Sequence, residues 1–296
     1  MNAAADLFSN VGPSIAPGQP LRGQLLKWVG NKQRFAKELI SHFPVSFNAY
    51  FEPFVGSGAV LATLAPREGY AGDVFAPLVE IWSMLKRDPG QVVAWYAERL
   101  ALVDRLGKID AYHRVRDAYN KSANGADLLF LSRACYGGVV RFRKSDGYMS
   151  TPCGAHTPIP VERFAQRVAA WSARMANTEF FNCDYRELMA RARAGDVVYC
   201  DPPYVDSQTI LYGAQAFRLH ELFDAIADCK RRGAFVALSI DGTKKSGRDV
   251  VDIAPPEGLF AKEVQVHCGR SMLRRFQMDG RTLEAEHVSD RLLLTH

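Results

Sequence analysis

The chain has 296 residues, 48% of them hydrophobic and 23% charged, which is enough apolar material for one large core or two smaller ones and an ordinary charge load for a globular protein. No apolar run approaches the ~18 residues of a membrane span, and a net charge of +5 favours an anionic partner only where the charge is clustered. The six cysteines (Cys135, Cys153, Cys183, Cys200, Cys229, Cys268) form no Cys-x-x-Cys pair, which argues against a metal site and, in a chain this long, for free thiols in a reducing cytoplasm.

Residues 1–22 read as a flexible N-terminal tail; Met1 to Pro20 is rich in Ala, Ser, Gly and Pro and lacks the Lys or Arg of a secretory start. A helical pattern covers Lys32 to His42. Apolar runs at Tyr50–Phe54, Gly69–Gly72, Val197–Cys200 and Phe235–Ile240 read as buried strands ending in Gly, Pro or Asp. Val161–Met175 and Arg218–Arg232 read as helices between them, so strands alternate with helices as in a mostly parallel α/β sheet covered on both faces. Lys262–Cys268 and Arg291–Thr295 predict an antiparallel pair near the C-terminal end. The stretch 78–160 breaks the rhythm and reads as an inserted, mainly helical domain between catalytic segments 23–77 and 161–296. It holds roughly twelve Lys and Arg against eight Asp and Glu, nearly all of the net charge.

Three segments carry chemistry. Phe51-Glu52-Pro53-Phe54-Val55-Gly56-Ser57-Gly58 runs a strand into a Gly-x-Gly turn, where Gly56 and Gly58 let backbone bend and approach a ligand; many such turns bind nothing. Asp73 stands nineteen positions after Phe54, at a second strand end, where a carboxylate can accept hydrogen bonds from both ribose hydroxyls of a nucleoside; alone it would read as a loop residue. Asp201-Pro202-Pro203-Tyr204 follows an apolar strand abruptly. Two prolines fix two φ angles and remove two donors, leaving a stiff corner with a carboxylate, carbonyls and an aromatic ring. That set suits a planar base bearing an amino group. Asp201 and the Pro202 carbonyl accept its two N–H groups and Tyr204 stacks on the ring. The competing reading is a rigid, helix-capping turn.

Leu26-Lys27-Trp28-Val29-Gly30-Asn31-Lys32, the Phe51–Gly58 segment and Asp201–Tyr204, in that order, resemble the Dam-like alpha group (D12 class) of adenine-specific DNA methyltransferases. Phe130–Arg141 and Asn182-Cys183-Asp184-Tyr185 match it too, so the resemblance runs from Leu25 onward. It implies a Rossmann-like, S-adenosylmethionine-dependent methyltransferase sheet with an inserted target-recognition domain, acting on the N6 amino group of adenine in duplex DNA. Trp28 and Lys32 fall where the family packs against the cofactor's methionine end, Phe54, Gly56 and Gly58 on its cofactor loop, Asp73 on its ribose-binding acid and Asp184 beside the cofactor's adenine. Asp201 to Tyr204 fall on the catalytic loop, with Asp201 bordering the cofactor as well. Lys27 matches a lysine that reaches DNA and Arg141 a base-reading arginine.

Departures fall at Asn31, where the family usually has Gly, at Gly137, where it has Asn, and at Tyr148–Gly154 in place of a Phe-Asn-Val-Pro-Phe-Gly run. Asn31 is tolerated if the turn needs unusual backbone angles; the other two changes leave the target sequence open. For DNA contact, Arg133, Arg141, Arg143 and Lys144 cluster with Tyr136, Phe142 and Tyr148, and a second basic loop holds Arg270, Arg274, Arg275 and Arg281. Either run would also suit a solvated loop. The seven histidines show no ligand-like spacing, and no metal is expected. The expected protein is a monomer or weak dimer, in the cytoplasm with the nucleoid, with a cognate restriction endonuclease open as a partner. Transfer to the amino group of cytosine, action on RNA, and a catalytically silent DNA-binding protein remain rival readings.

Overall fold

The computed structural model describes residues 18–203, 217–241, 243–244, 249–250, 254–270 and 287–296. Its centre is a seven-stranded sheet of β1 (Tyr50–Glu52), β2 (Gly69–Asp73), β3 (Thr178–Asn182), β4 (Val197–Cys200), β5 (Phe235–Asp241), β8 (Lys262–Arg270) and β9 (His287–Leu294), in the order β3-β2-β1-β4-β5-β9-β8. Two short strands, β6 (Thr243–Lys244) and β7 (Asp249–Val250), pair separately. The five strands from β3 to β5 are parallel, while β9 runs antiparallel to both β5 and β8.

Alternation along each strand divides the core between the two faces. Tyr50 of β1 and Val197 and Tyr199 of β4 join one cluster with Leu25, Leu61, Trp82 and Trp171. Phe51, Val198 and Cys200 point the other way, among Leu188, Leu222, Ile226 and Val236. The first face is covered by α1 (Ala36–Ile40), α2 (Ala59–Leu64), α3 (Ala76–Arg87) and α7 (Val161–Met175), and the second by α8 (Tyr185–Met189) and α9 (Leu219–Arg231). Trp82 of α3 stacks on Trp171 of α7 at 5.7 Å between ring centroids. Between α3 and α7 the chain adds α4 (Pro89–Leu106), α5 (Lys108–Lys121) and α6 (Gly125–Ala134). Asp88 caps α4 by accepting the Gln91 N–H at 3.0 Å, and Asn124 caps α6 through Asp127 at 2.8 Å. Their interior, with Tyr96 stacked on Phe164 at 4.1 Å, continues into the sheet's first face.

The element reading holds closely for β4 and α7, whose bounds match the apolar runs. The first helix is shorter than Lys32–His42 because Asn31 Oδ1 accepts the Gln33 N–H at 2.8 Å and a turn delays helix entry to Ala36. β1 stops at Glu52, since Pro53 has no N–H to continue a ladder. β9 begins four residues before Arg291. β3 was not anticipated: it is an edge strand, and most of its side chains are only partly buried or exposed, so no apolar run announces it.

Candidate active site

Strand order reverses between β1 and β4, so the loops leaving their carboxyl ends part and open a crevice, the place where open α/β sheets hold ligands. A cavity of about 190 Å³ lies there. Of the residues expected to hold a cofactor, Trp28, Lys32, Phe54, Gly56, Asp73, Asp184 and Asp201 line it, together with Pro202 and Pro203. Tyr204 lies outside the described residues.

The glycine turn forms one wall. Gly56 and Gly58 adopt φ of 43° and 62°, a region that side chains rarely enter. The Gly56 N–H donates to Asp73 Oδ2 at 3.3 Å, and Trp82 Nε1 donates to the Gly56 carbonyl at 3.1 Å. Asp73, buried at the end of β2, also accepts the Phe75 N–H at 3.0 Å, so one carboxylate ties the turn to the neighbouring strand. Gly58 does not line the cavity. A Cβ there would meet Met175 Cε at 2.6 Å, so this glycine lets α2 approach α7.

The far wall is aromatic. Phe54 stacks on Tyr185 at 5.1 Å, and Phe217 sets its edge against both, at 6.0 and 6.1 Å. Tyr185 and Phe217 were not singled out from sequence; Phe217 stands far from any motif, and only the fold brings it to Phe54. Asp184 caps α8 and is gripped by the Arg186 guanidinium at 2.8 Å. Burial raises the Asp184 carboxyl, but the Arg186 hydrogen bonds and charge outweigh it and hold the pKa below the ordinary value.

The proline corner meets a buried charge group. Lys32 Nζ lies 3.2 Å from Asp201 Oδ1 and 2.7 Å from Asp290 Oδ2 on β9. Lys32 and Asp290 are almost wholly buried and Asp201 is 17% exposed. Asn31, expected to absorb an unusual backbone angle, does not; Gly30 takes the positive φ of 75° and Asn31 serves through its side-chain oxygen.

Glu52, another residue missed in the sequence, lines the same cavity and accepts the Tyr50 hydroxyl at 2.6 Å. Burial, with the Asp201 charge adding to it, pushes its pKa up to about 8. Unfolded, this carboxyl loses its proton near 4.5, so between that pH and about 8 the folded chain binds more protons than the unfolded one. Its contribution therefore lowers stability as pH rises through that window, by at most about 1.4 kcal/mol per pH unit. We expect Glu52→Gln to flatten the fall in denaturation midpoint between pH 5.5 and 8; equal slopes in both proteins would refute the buried neutral acid.

On the insertion side, Lys27 packs against Gly138, where a Cβ would meet the lysine Cβ at 2.8 Å. That glycine ends the turn Tyr136–Gly138, and Tyr136 is 43% exposed. A hairpin follows, with the Arg143 N–H donating to the Tyr148 carbonyl at 2.9 Å and the Ser150 N–H to the Arg141 carbonyl at 3.0 Å. Arg143 lies 4.2 Å over the Tyr148 ring, and both Arg143 and Lys144 are exposed. Two expectations change. Arg133 is not on this surface: it is buried on α6, donates to the carbonyls of Gln24 and Leu25 at 2.8 Å each, and lies 5.3 Å over the Phe164 ring. Every residue of α6 is buried, so a charge there must find internal acceptors. Phe142, grouped with the basic cluster for DNA contact, instead packs inward against Phe75 at 5.6 Å. The side chain of Arg270, and Arg274, Arg275 and Arg281 entirely, lie outside the described residues.

A family model described as D12 class N6 adenine-specific DNA methyltransferase matches residues 28–257. The chain belongs to this family. The match to this methyltransferase family takes in the Trp28 segment, the glycine turn, the insertion and the proline corner, and ends before β8 and β9. The seven-stranded, mostly parallel sheet agrees with it. Relatives include the DNA N-6-adenine-methyltransferase of Escherichia phage P1, 28% identical over 77% of this chain and 31% of that protein. The DNA adenine methylase of Serratia marcescens is 30% identical over 60% of this chain and 66% of its own length. A type II methyltransferase of Lactococcus lactis subsp. cremoris is 26% identical over 72% and 79%. The chain thus spans under a third of the phage protein and just under two thirds of the Serratia one.

Proposed function

We propose that this chain methylates the N6 amino group of adenine in duplex DNA, with S-adenosylmethionine as methyl donor. The observation that carries the reading is that the Asp201-Pro202-Pro203 corner and the glycine turn with Asp73 open into one cavity at the strand-order reversal. The cavity suits this donor. The Phe54, Tyr185 and Phe217 rings offer faces for its purine, and Asp73 a carboxylate for its ribose. Four carboxylates (Asp73, Asp184, Asp201, Glu221) outnumber the cations Lys32, Arg186 and Arg218 around it, and Glu52 is held neutral by burial, an environment favourable to a positively charged ligand. When bound, S-adenosylmethionine supplies an electrophilic methyl on a sulfonium.

The chain's own groups do the positioning. Asp201 and the Pro202 carbonyl each accept one N–H of an extruded adenine, fix the direction of the amino nitrogen, and stabilise positive charge as it builds there. Tyr204 stacks on the base. No covalent link to the protein is required, so the cysteines have no chemical task. Lys27, Tyr136, Arg141, Arg143 and Lys144 contact DNA, joined by Arg270, Arg274 and Arg275. Of these, Tyr136, Arg141, Arg143 and Lys144 belong to the insertion, 78–160, which is built on α4 to α6; α3 goes with the sheet it covers. The reading extends to a monomer or weak dimer acting on DNA in the cytoplasm, and to a cognate restriction endonuclease as partner.

The deciding experiment incubates purified protein with unmethylated duplex DNA and isotope-labelled S-adenosylmethionine, then digests to nucleosides. Label in N6-methyldeoxyadenosine supports the reading; label in N4-methyldeoxycytidine, or none, overturns it. Asp73→Asn should weaken S-adenosylmethionine binding roughly tenfold or more in calorimetry, since it replaces a charged hydrogen-bond acceptor by a neutral one. Unchanged affinity would remove Asp73 from the site.

A further inference from the structure

We propose that Asp290 is a positioning residue for Asp201, acting through Lys32; this rests on the reading that Asp201 receives the adenine amino group. Asp290 is not among the cavity-lining residues, whereas Lys32 and Asp201 are. Its carboxylate takes the shorter contact with Lys32 Nζ, 2.7 Å against 3.2 Å for Asp201. Lys32 stands on a segment without regular structure, before α1 begins at Ala36. Asp290 instead belongs to β9, hydrogen-bonded between β5 and β8, with Asp290 in register with Asp241 and Val266. Asp290 is thus carried on a strand paired on both sides, whereas Lys32 stands outside regular structure.

Two consequences follow from elementary electrostatics. Asp290 fixes where the ammonium sits, and through it the Asp201 Oδ1 that the ammonium holds. By taking the closer share of the single positive charge, Asp290 also leaves Asp201 the weaker ion pair, so Asp201 keeps more of its negative charge for an incoming amino group. Without Asp290 the ammonium is drawn onto Asp201 and competes with the base.

The test uses single-turnover methyl transfer by the full chain at saturating DNA and S-adenosylmethionine. D290N, nearly the same shape, should transfer at least tenfold more slowly, with S-adenosylmethionine affinity and the KM for DNA within threefold of wild type. The D290N/K32M double variant should be no slower than K32M, because Asp290 acts only through the lysine. A D290N rate within twofold of wild type overturns the proposal, as does a rate loss matched by lost cofactor affinity. Multiplying losses in the double variant would overturn it too. If D290N does not fold, D290S is read in the same assays by the same criteria. Wild-type protein that methylates no adenine defeats the underlying assignment instead, and the two failures are told apart by that control.

Discussion

Asp201→Ala lowers methyl transfer to adenine by about a thousandfold or more, while S-adenosylmethionine still binds. On the proposed reading, the substitution removes the acceptor and the negative charge that face the amino group. Losing one preorganised electrostatic partner of this kind costs roughly 10²–10³ in rate, and losing the charge that balances the developing positive nitrogen adds to it. The fold should survive, because Lys32 keeps Asp290 at 2.7 Å as counter-ion. Single-turnover rates with labelled donor and calorimetric titration of the donor measure the two halves. Transfer within tenfold of wild type would show that the corner does not handle the reacting group.

Lys32→Met carries the second large effect, and here stability suffers as well as rate. The ammonium is the shared counter-ion of Asp201 and Asp290, and its own side chain is only 5% exposed. Removing one partner of a buried ion pair leaves an uncompensated charge and costs about 3–5 kcal/mol. In this case two carboxylates lose the same counter-ion. For a chain of this size that corresponds to a fall in melting temperature on the order of 10 °C, with methyl transfer reduced at temperatures where the variant is still folded. A variant melting within two or three degrees of wild type, say about 2 °C, would mean that water or another cation compensates the pair, and Lys32 would lose its structural part.

The central sheet was legible because its strands are buried on both faces and read as continuous apolar runs; Val197–Cys200 is the clearest. The edge strand Thr178–Asn182 was not, since an edge exposes polar side chains and breaks the run. The proline corner and glycine turn announced themselves because rigid or left-handed backbone needs particular residue types, which sequence displays directly. Glu52 and Asp290 were invisible for the opposite reason. A carboxyl looks the same in sequence whether it faces water or lies beneath a sheet, and only the fold decides which. Arg133 shows the same limit in reverse: its neighbours along the chain reach the hairpin surface, but α6 is buried on every side and turns this guanidinium inward.

The pairing of Lys32 with Asp290 spans 258 positions of the chain. A ribosome that has placed the lysine must therefore add that many residues before its partner exists. This contact beside the pocket is then late to form, because loop closure over such a span is slow and waits on the sheet. Until the antiparallel strand docks, a nascent chain has its glycine turn and much of its helical cover, but Lys32 lacks the closer of its two carboxylates, so the buried charge group is completed only once β9 is in place.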